Sequence, residues 1–324
     1  MLDSRSNTAA PGESDAVDLA RGLASIRLEP AQKVGALEIH PLVLTGDAGP
    51  PYLLLHEALA TKALEVVETA EGTVNQLFAR NLSDRPILIL EGESVAGAKQ
   101  NRLITVDQLL APGATLIVHV GCVEQGRWDH DEKPFVAATM AGEPSLRRRA
   151  KVGSSPEGMP DQMRLWRTIK SKLHRSGTSS ASSDYHAVTD RFKTRVAEIA
   201  AVLTCREGQA GLLATERGRL VGFDLLGHPG NWKAFADRLS HSYVLGSLHG
   251  DDESNGHPTR SAAAWLETIR GAKVLDLPNQ GMGRRFSLDD EALVGGGLWH
   301  AGRIAHLAAF GFNRPATSGG WVTA

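Results

Sequence analysis

Glu91, Glu93 and Glu124 stand with Lys99, Arg102 and Arg127 inside one segment, residues 86–128, in which apolar runs lead into the carboxylates. Ile87 and Ile89 lead into Glu91 and Glu93; Val118 and Val120 lead into Cys122 and Glu124. A core rarely holds unpaired charge, so this pattern marks a polar site at strand ends. Carboxylates two apart on a strand share a face. Glu91 and Glu93 are therefore expected side by side, with Glu124 beside them if the two strands are neighbours. Such a trio could hold a divalent cation, Mg²⁺ or Mn²⁺, through hard oxygen ligands. Glu93 and Glu124 could instead be a general acid and base, one pKa raised by the other's charge. The plainer reading is a salt-bridge network with Lys99, Arg102 and Arg127.

Lys99, Arg102 and Arg127 suit phosphate, Arg as a planar fork and Lys as a point charge. Between them Gln100 and Asn101 could orient a sugar, a base or a carbonyl. Trp128 could stack on an adenine ring or simply pack. Cys122 reads as a small buried hydrophobe, because His119 falls on the opposite strand face. Neither CxxC nor HExxH occurs, which argues against a structural zinc site. His306 sits in an apolar run and reads as a core histidine; the roles of Asp224, His300 and Cys122 stay open. The glycine run at 281–283 has no following Lys-Ser/Thr and reads as a turn. The basic run at 147–151 is weak evidence for nucleic acid.

The elements that must position these residues divide the chain into unlike halves. Strands are expected at 37–44, 64–69, 73–81, 86–91 and 115–123, separated by Gly, Pro, Asn and Asp signals. They imply an antiparallel sheet or a barrel-like sandwich. Helical spacing appears at Met163, Trp166 and Leu173, again from Val188 to Leu203, from Trp232 to Tyr243, and at 262–270. A hairpin is expected over 211–225 and strands at 273–277, 285–288 and 293–310, the last broken by Gly295, Gly296 and Gly297. The fold class is α+β: a β-rich N-terminal half and a helix-rich C-terminal half adding further strands. The organisation reads as a disordered tail (1–20), a β-rich part (21–140), flexible linkers around one helix (141–184) and an α+β part (185–324), packed as one composite domain.

Composition narrows the class. The 324 residues are 42% hydrophobic and 22% charged, with net charge −2, as in an ordinary globular protein. A near-neutral chain argues against an electrostatic grip on nucleic acid or membrane. Two cysteines exclude a disulfide scaffold. The N-terminus lacks a signal-peptide pattern and no apolar run approaches ~20 residues. A cytoplasmic protein is expected.

At GESVAGAKQNR and CVEQGRW the chain resembles the ARG- and rhodanese-phosphatase-associated protein domain, a bacterial family without an established reaction. Gly222-Phe223-Asp224, His241-Ser242-Tyr243 and the run from Arg303 to Leu307 match it in style. Gly121 departs from the serine expected before Cys-Val-Glu. The resemblance runs from about Ser25 to the C-terminus. It implies a genomic link to ADP-ribosyl-glycohydrolase-like and phosphatase-like proteins, hence to NAD and ADP-ribose chemistry. The expectation is then a hydrolase, with or without a metal, acting on a small phosphorylated nucleotide-sugar such as ADP-ribose. Glu93 and Glu124 would act, and Lys99, Gln100, Asn101, Arg102, Arg127 and Trp128 would bind. The alternatives are a non-catalytic module for the same ligand, or a structural partner of an ADP-ribosylation or phosphatase system.

Overall fold

The computed structural model describes residues 16–69, 73–127, 133–250 and 257–313. Short helix α1 (Leu19–Ala24) is capped by Asp18, which accepts from the Arg21 amide. Strands β1 (Ile26–Leu28), β2 (Gln32–Val34), β3 (Leu37–Leu44) and β4 (Leu53–Leu54) follow, then helix α2 (Leu55–Ala60). Next come β5 (Leu64–Glu68), β6 (Gln76–Asn81), β7 (Ile87–Ile89), β8 (Ser94–Ala96), β9 (Arg102–Ile104), β10 (Gln108–Leu110), β11 (Thr115–Cys122) and β12 (Val136–Ala137). Three helices lead into the second half: α3 (Pro144–Lys151), α4 (Gln162–Arg175) and α5 (His186–Ala200). Hairpin β13 (Gln209–Glu216) and β14 (Arg219–Leu225) precedes α6 (Pro229–His249) and α7 (Ala262–Gly271). The described chain closes with β15 (Lys273–Leu277), β16 (Arg284–Asp289), β17 (Leu293–His300) and β18 (Arg303–Gly311).

The strands form an α+β arrangement of three sheets. A nine-stranded sheet runs β1-β3-β13-β14-β18-β17-β16-β15, with β2 also on β3. A six-stranded half-barrel runs β12-β8-β9-β11-β6-β5, and β10-β7-β4 makes a small sheet. The β4–β7 pair is parallel; the others described are antiparallel. Side-chain alternation gives the large sheet two buried faces. Leu42, Leu213, Phe223 and Leu307 pack toward α1 and α7. Leu37, Ile39, Leu212 and Ala214 pack toward Trp232, Phe235, Leu239 and Tyr243 of α6. Pro229 opens α6, and Ser261 caps α7 by accepting from the Ala264 amide. Among the described residues, no helix is long and apolar enough to cross a membrane.

Four differences from the sequence reading matter for the site. Glu91 lies in a turn after β7 rather than on a strand, and Gly92 has φ +89°. That left-handed residue reverses the chain, so Glu91 and Glu93 do not share a face. Gly295, Gly296 and Gly297 do not break β17; they pair with β16 and β18 without interruption, and the turn comes at Ala301 and Gly302. The segment 141–184 holds two helices, α3 and α4, and Leu146 and Arg147 of α3 are fully buried. At the N-terminus Leu19 is buried on the large sheet, while residues 1–15 lie outside the described residues.

The glycines of β17 let neighbouring backbones close in. A Cβ on Gly297 would collide with the His306 carbonyl, and one on Gly296 with the Phe286 carbonyl. Gly297→Ala should therefore cost about 1–3 kcal/mol through overpacking. A urea melt reads this, and an unchanged midpoint would show that the strands can part there.

Candidate functional site

Alternation on β14 and β18 points polar side chains where a core would take apolar ones. Asp224 lies between Phe223 and Leu225, and His306 next to Leu307. Both look away from α1 and α7, toward Arg147 of α3. Arg147 makes a two-pronged pair with Asp224, Nη1 to Oδ2 at 2.9 Å and Nη2 to Oδ1 at 2.7 Å. Its Nη2 also donates to Glu91 Oε2 at 3.0 Å, and its guanidinium lies over Phe310, 4.9 Å from the ring centre. The Tyr243 hydroxyl of α6 donates to Asp224 Oδ2 at 2.6 Å. His306 Nδ1 donates to Asp107 Oδ1 at 2.7 Å, and its Nε2 lies 3.6 Å from Asp224. Asp107 Oδ1 also accepts from the Glu91 amide. Lys151 Nζ completes the cluster 3.5 Å from Glu91.

Burial makes this cluster expensive. Arg147 and Asp224 are 0% exposed, His306 1%, Glu91 3% and Asp107 4%. Isolated charges could not persist there; full pairing is what allows them. Burial alone would lower the His306 pKa, but the Asp107 charge, the bond to it and Asp224 outweigh burial and raise it to about 9. Burial would raise Asp224, yet Arg147 and His306 bring it down to about 2. Asp107 is likewise lowered: burial opposes, and His306 and Lys151 prevail. The charges balance: Glu91, Asp107 and Asp224 against Arg147, Lys151 and protonated His306. Two glycines make room. A Cβ at Gly92 would collide with the Arg147 side chain, and one at Gly222 with the Tyr243 hydroxyl.

The cluster is not sealed. Asp107 and Lys151 line a cleft of about 50 Å³, shared with Thr105, Ser154, Arg285 and Ser287. That is room for a few waters or a small anionic group. Backbone of Gly295, Gly296 and Gly297 forms part of the wall. Arg285 donates to the carbonyls of Pro156, Glu157 and Pro278, and burial lowers its pKa. With Ser155, also in the lining, two cations, four hydroxyl side chains and an oriented carboxylate thus converge on one opening.

The residues expected from sequence are dispersed. Glu124 is saturated: it accepts from Arg127 Nε, from Ser182 Oγ at 2.8 Å and from the Asn101 amide at 3.2 Å. Burial would raise its pKa, but Arg127 and Ser182 hold it below the ordinary value. Arg127 donates onward to the Ala98 carbonyl and to Asn101 Oδ1. Arg102 is wholly buried, pairing with Gln100 Oε1 at 2.7 Å and Glu68 at 3.5 Å. Gln100 Oε1 also accepts from Cys122 Sγ. Burial is the main reason the Cys122 thiol lies above its usual pKa, which fits an inert side chain. Glu93 turns elsewhere, accepting from the Leu90 amide with His56 at 3.9 Å. Lys99 is half-buried, and Trp128 lies outside the described residues. Glu124, Arg127 and Asn101 do meet, as a lock between the 97–102 loop and the 180s. Glu91, Glu93 and Glu124 do not form one set. Among the described residues, no group of three or more His, Cys, Asp or Glu is placed to hold a metal ion.

Ser94 and His186 form a further buried contact, Oγ to Nε2 at 2.7 Å. Ser94 gives its proton to the Arg102 carbonyl, so His186 donates to it. A serine nucleophile and its base need the reverse.

Glu124→Gln keeps the shape of the lock but removes its charge. Stranding Arg127, which is partly exposed, should cost less than breaking a fully buried pair, roughly 1–3 kcal/mol. A thermal melt should show the loss; an unchanged Tm together with lost ligand binding would restore a ligand role to Glu124.

Arg147 was hidden in a basic run, with no periodic signal to mark it. Asp224 and His306 did carry a signal: a charged or polar residue at an inward strand position. The phrases behind the family resemblance hold Asp224, Tyr243 and His306, which meet beside Arg147, and Glu91, its other carboxylate partner, stands just before the first of those phrases. No curated protein and no solved structure matches the chain significantly. A model of the ARG and Rhodanese-Phosphatase-superfamily-associated Protein domain matches residues 25–310, and the chain belongs to that family.

Proposed function

We propose that this chain binds a small phosphorylated ligand in the cleft of Asp107, Lys151 and Arg285, and hydrolyses it. The observation that carries the proposal is an oriented carboxylate, Asp107, lining the same opening as two cations. Lys151 and Arg285 would hold phosphate oxygens. Asp107, kept ionised and aimed by His306 and the Glu91 amide, would take the proton of an attacking water. The water oxygen would bond to phosphorus as a P–O bond of the substrate breaks, and because protonated His306 favours the charged form of Asp107, the proton would pass on to the leaving oxygen or to solvent. A nucleotide-sugar such as ADP-ribose is the substrate class proposed, with only its phosphoryl part in the cleft itself. The roles first assigned to Glu93 and Glu124 pass to Asp107, because Glu124 already has its oxygens occupied. We place the protein in the cytoplasm, where Cys122 and Cys205 stay reduced. The family's name associates it with ARG and rhodanese-phosphatase-superfamily proteins, so a partner from that set belongs to the same proposal.

A second reading, a binding module without turnover, is favoured by the charge balance of the cluster, which fits a rigid scaffold. Calorimetry with ADP-ribose and a hydrolysis assay separate the two. Lys151→Ala should weaken binding ~10-fold or more. Asp107→Asn should cut turnover ~10²–10⁴-fold while binding survives. Binding without turnover in the unmodified protein leaves the module; no binding at millimolar ADP-ribose removes this ligand.

A further inference from the structure

A second opening lies on another side of α3, away from the Arg147 cluster. It measures about 220 Å³ and sits between the start of α3, the end of α6 and the turn joining β13 to β14. Ser145, Arg148, Glu216, Arg217, Arg219 and Gly246 line it. That is smaller than the ~300–1,000 Å³ of a drug-sized site, and fits a small ligand.

Its chemistry is set from behind. Lys172 of α4 donates to Ser145 Oγ at 2.7 Å and pairs with Glu143 Oε1 at 2.9 Å. The side chains of Lys172 and Glu143 are 1% and 0% exposed. Glu143 offsets the Lys172 charge, so the ammonium acts mainly as a fixed donor. With Lys172 on one lone pair, the Ser145 hydroxyl has its own proton to give, which suits a ligand that accepts.

The wall charge points the same way. Arg148, Arg217 and Arg219 face the cavity against one carboxylate, Glu216. Arg219 Nε is buried without a hydrogen-bond partner. Arg217 has φ +51° and Gly218 φ +76°, the two residues of the tight turn. Gly or Asn is the usual choice at Arg217's position, so a guanidinium is held there against backbone preference.

We propose that this cavity binds a phosphoryl group, that of a phosphate monoester or of free phosphate, with Ser145 donating to it and Arg217 and Arg219 pairing with its charge. The proposal is independent of the Asp107 cleft, and the test separates them. Calorimetry on the full chain uses ribose 5-phosphate and inorganic phosphate as probes. Arg219→Ala and Ser145→Ala should each weaken binding ~10-fold or more, and Lys151→Ala should leave it unchanged. Tighter binding of ribose 5-phosphate supports a phosphorylated metabolite as the source, and equal binding supports free phosphate. Arg217→Ala, in an exposed turn, serves if Ser145→Ala fails to fold. Three results overturn the proposal: neither probe binds at millimolar concentration, the arginine variants bind as tightly as the unmodified chain, or Lys151→Ala abolishes binding.

Discussion

Asp224→Asn should lower the melting temperature by roughly 10 °C. Asp224 is the hub of the buried cluster: it accepts from Arg147 twice and from Tyr243 once, and faces His306. Asparagine keeps the shape but removes the charge, and its amide presents two donors to groups that are themselves donors. Arg147 is then left with Glu91 alone, and His306 with Asp107. Breaking a buried pair costs about 3–5 kcal/mol, because a charge stays behind without water. At ~2–4 °C per kcal/mol for a chain of this order of size, the drop is large. A thermal melt by circular dichroism reads it. A shift below ~2 °C would mean that water or rearranged neighbours satisfy Arg147, and that the cluster is looser than its geometry.

The same cluster should make stability depend on pH in a set direction. His306 is raised from 6.5 to about 9 in the folded protein. A raised pKa contributes stability that is fully present below about 6.5 and lost as pH climbs through 9. At ~1.4 kcal/mol per pH unit this comes to about 3 kcal/mol. Asp224 is lowered from 3.8 to about 2, so its contribution is present above about 4 and lost as pH falls through 2. The plateau between 4 and 6.5 should therefore decline on both sides. Urea unfolding at pH 6 and pH 9.5 should differ by about 3 kcal/mol more in the unmodified protein than in His306→Gln. Equal slopes for the two proteins would show that His306 is neutral in the fold.

Local rules carried much of the architecture. The strand over 37–44, the hairpin over 211–225, the helix from Trp232 to Tyr243 and the strand at 273–277 all stand where alternation and helical spacing place them. The failures have physical causes. Gly92 turns the chain between two glutamates that strand parity would have paired. The β17 glycines look like a break but allow close strand packing. Helix α3 reads as a basic linker because its Arg147 is buried by partners that sequence spacing cannot supply. Asp224 and His306 sit on the neighbouring strands β14 and β18, Glu91 and Asp107 just beside the paired strands β7 and β10, and Arg147 of α3 reaches the place where they meet. What remained legible was the oddity of Asp224 and His306: an acid and a histidine on inward strand positions. Cation density instead drew attention to the 99–127 region, where the charges serve to hold loops.

A crystal soaked with ADP-ribose tests the central claim most directly. The account predicts ligand density at the cleft, with phosphate oxygens within hydrogen-bonding reach of Lys151 and Arg285 and a water against Asp107. Density seated instead on Glu124 and Arg127, with the Asp107 cleft holding solvent only, would contradict it.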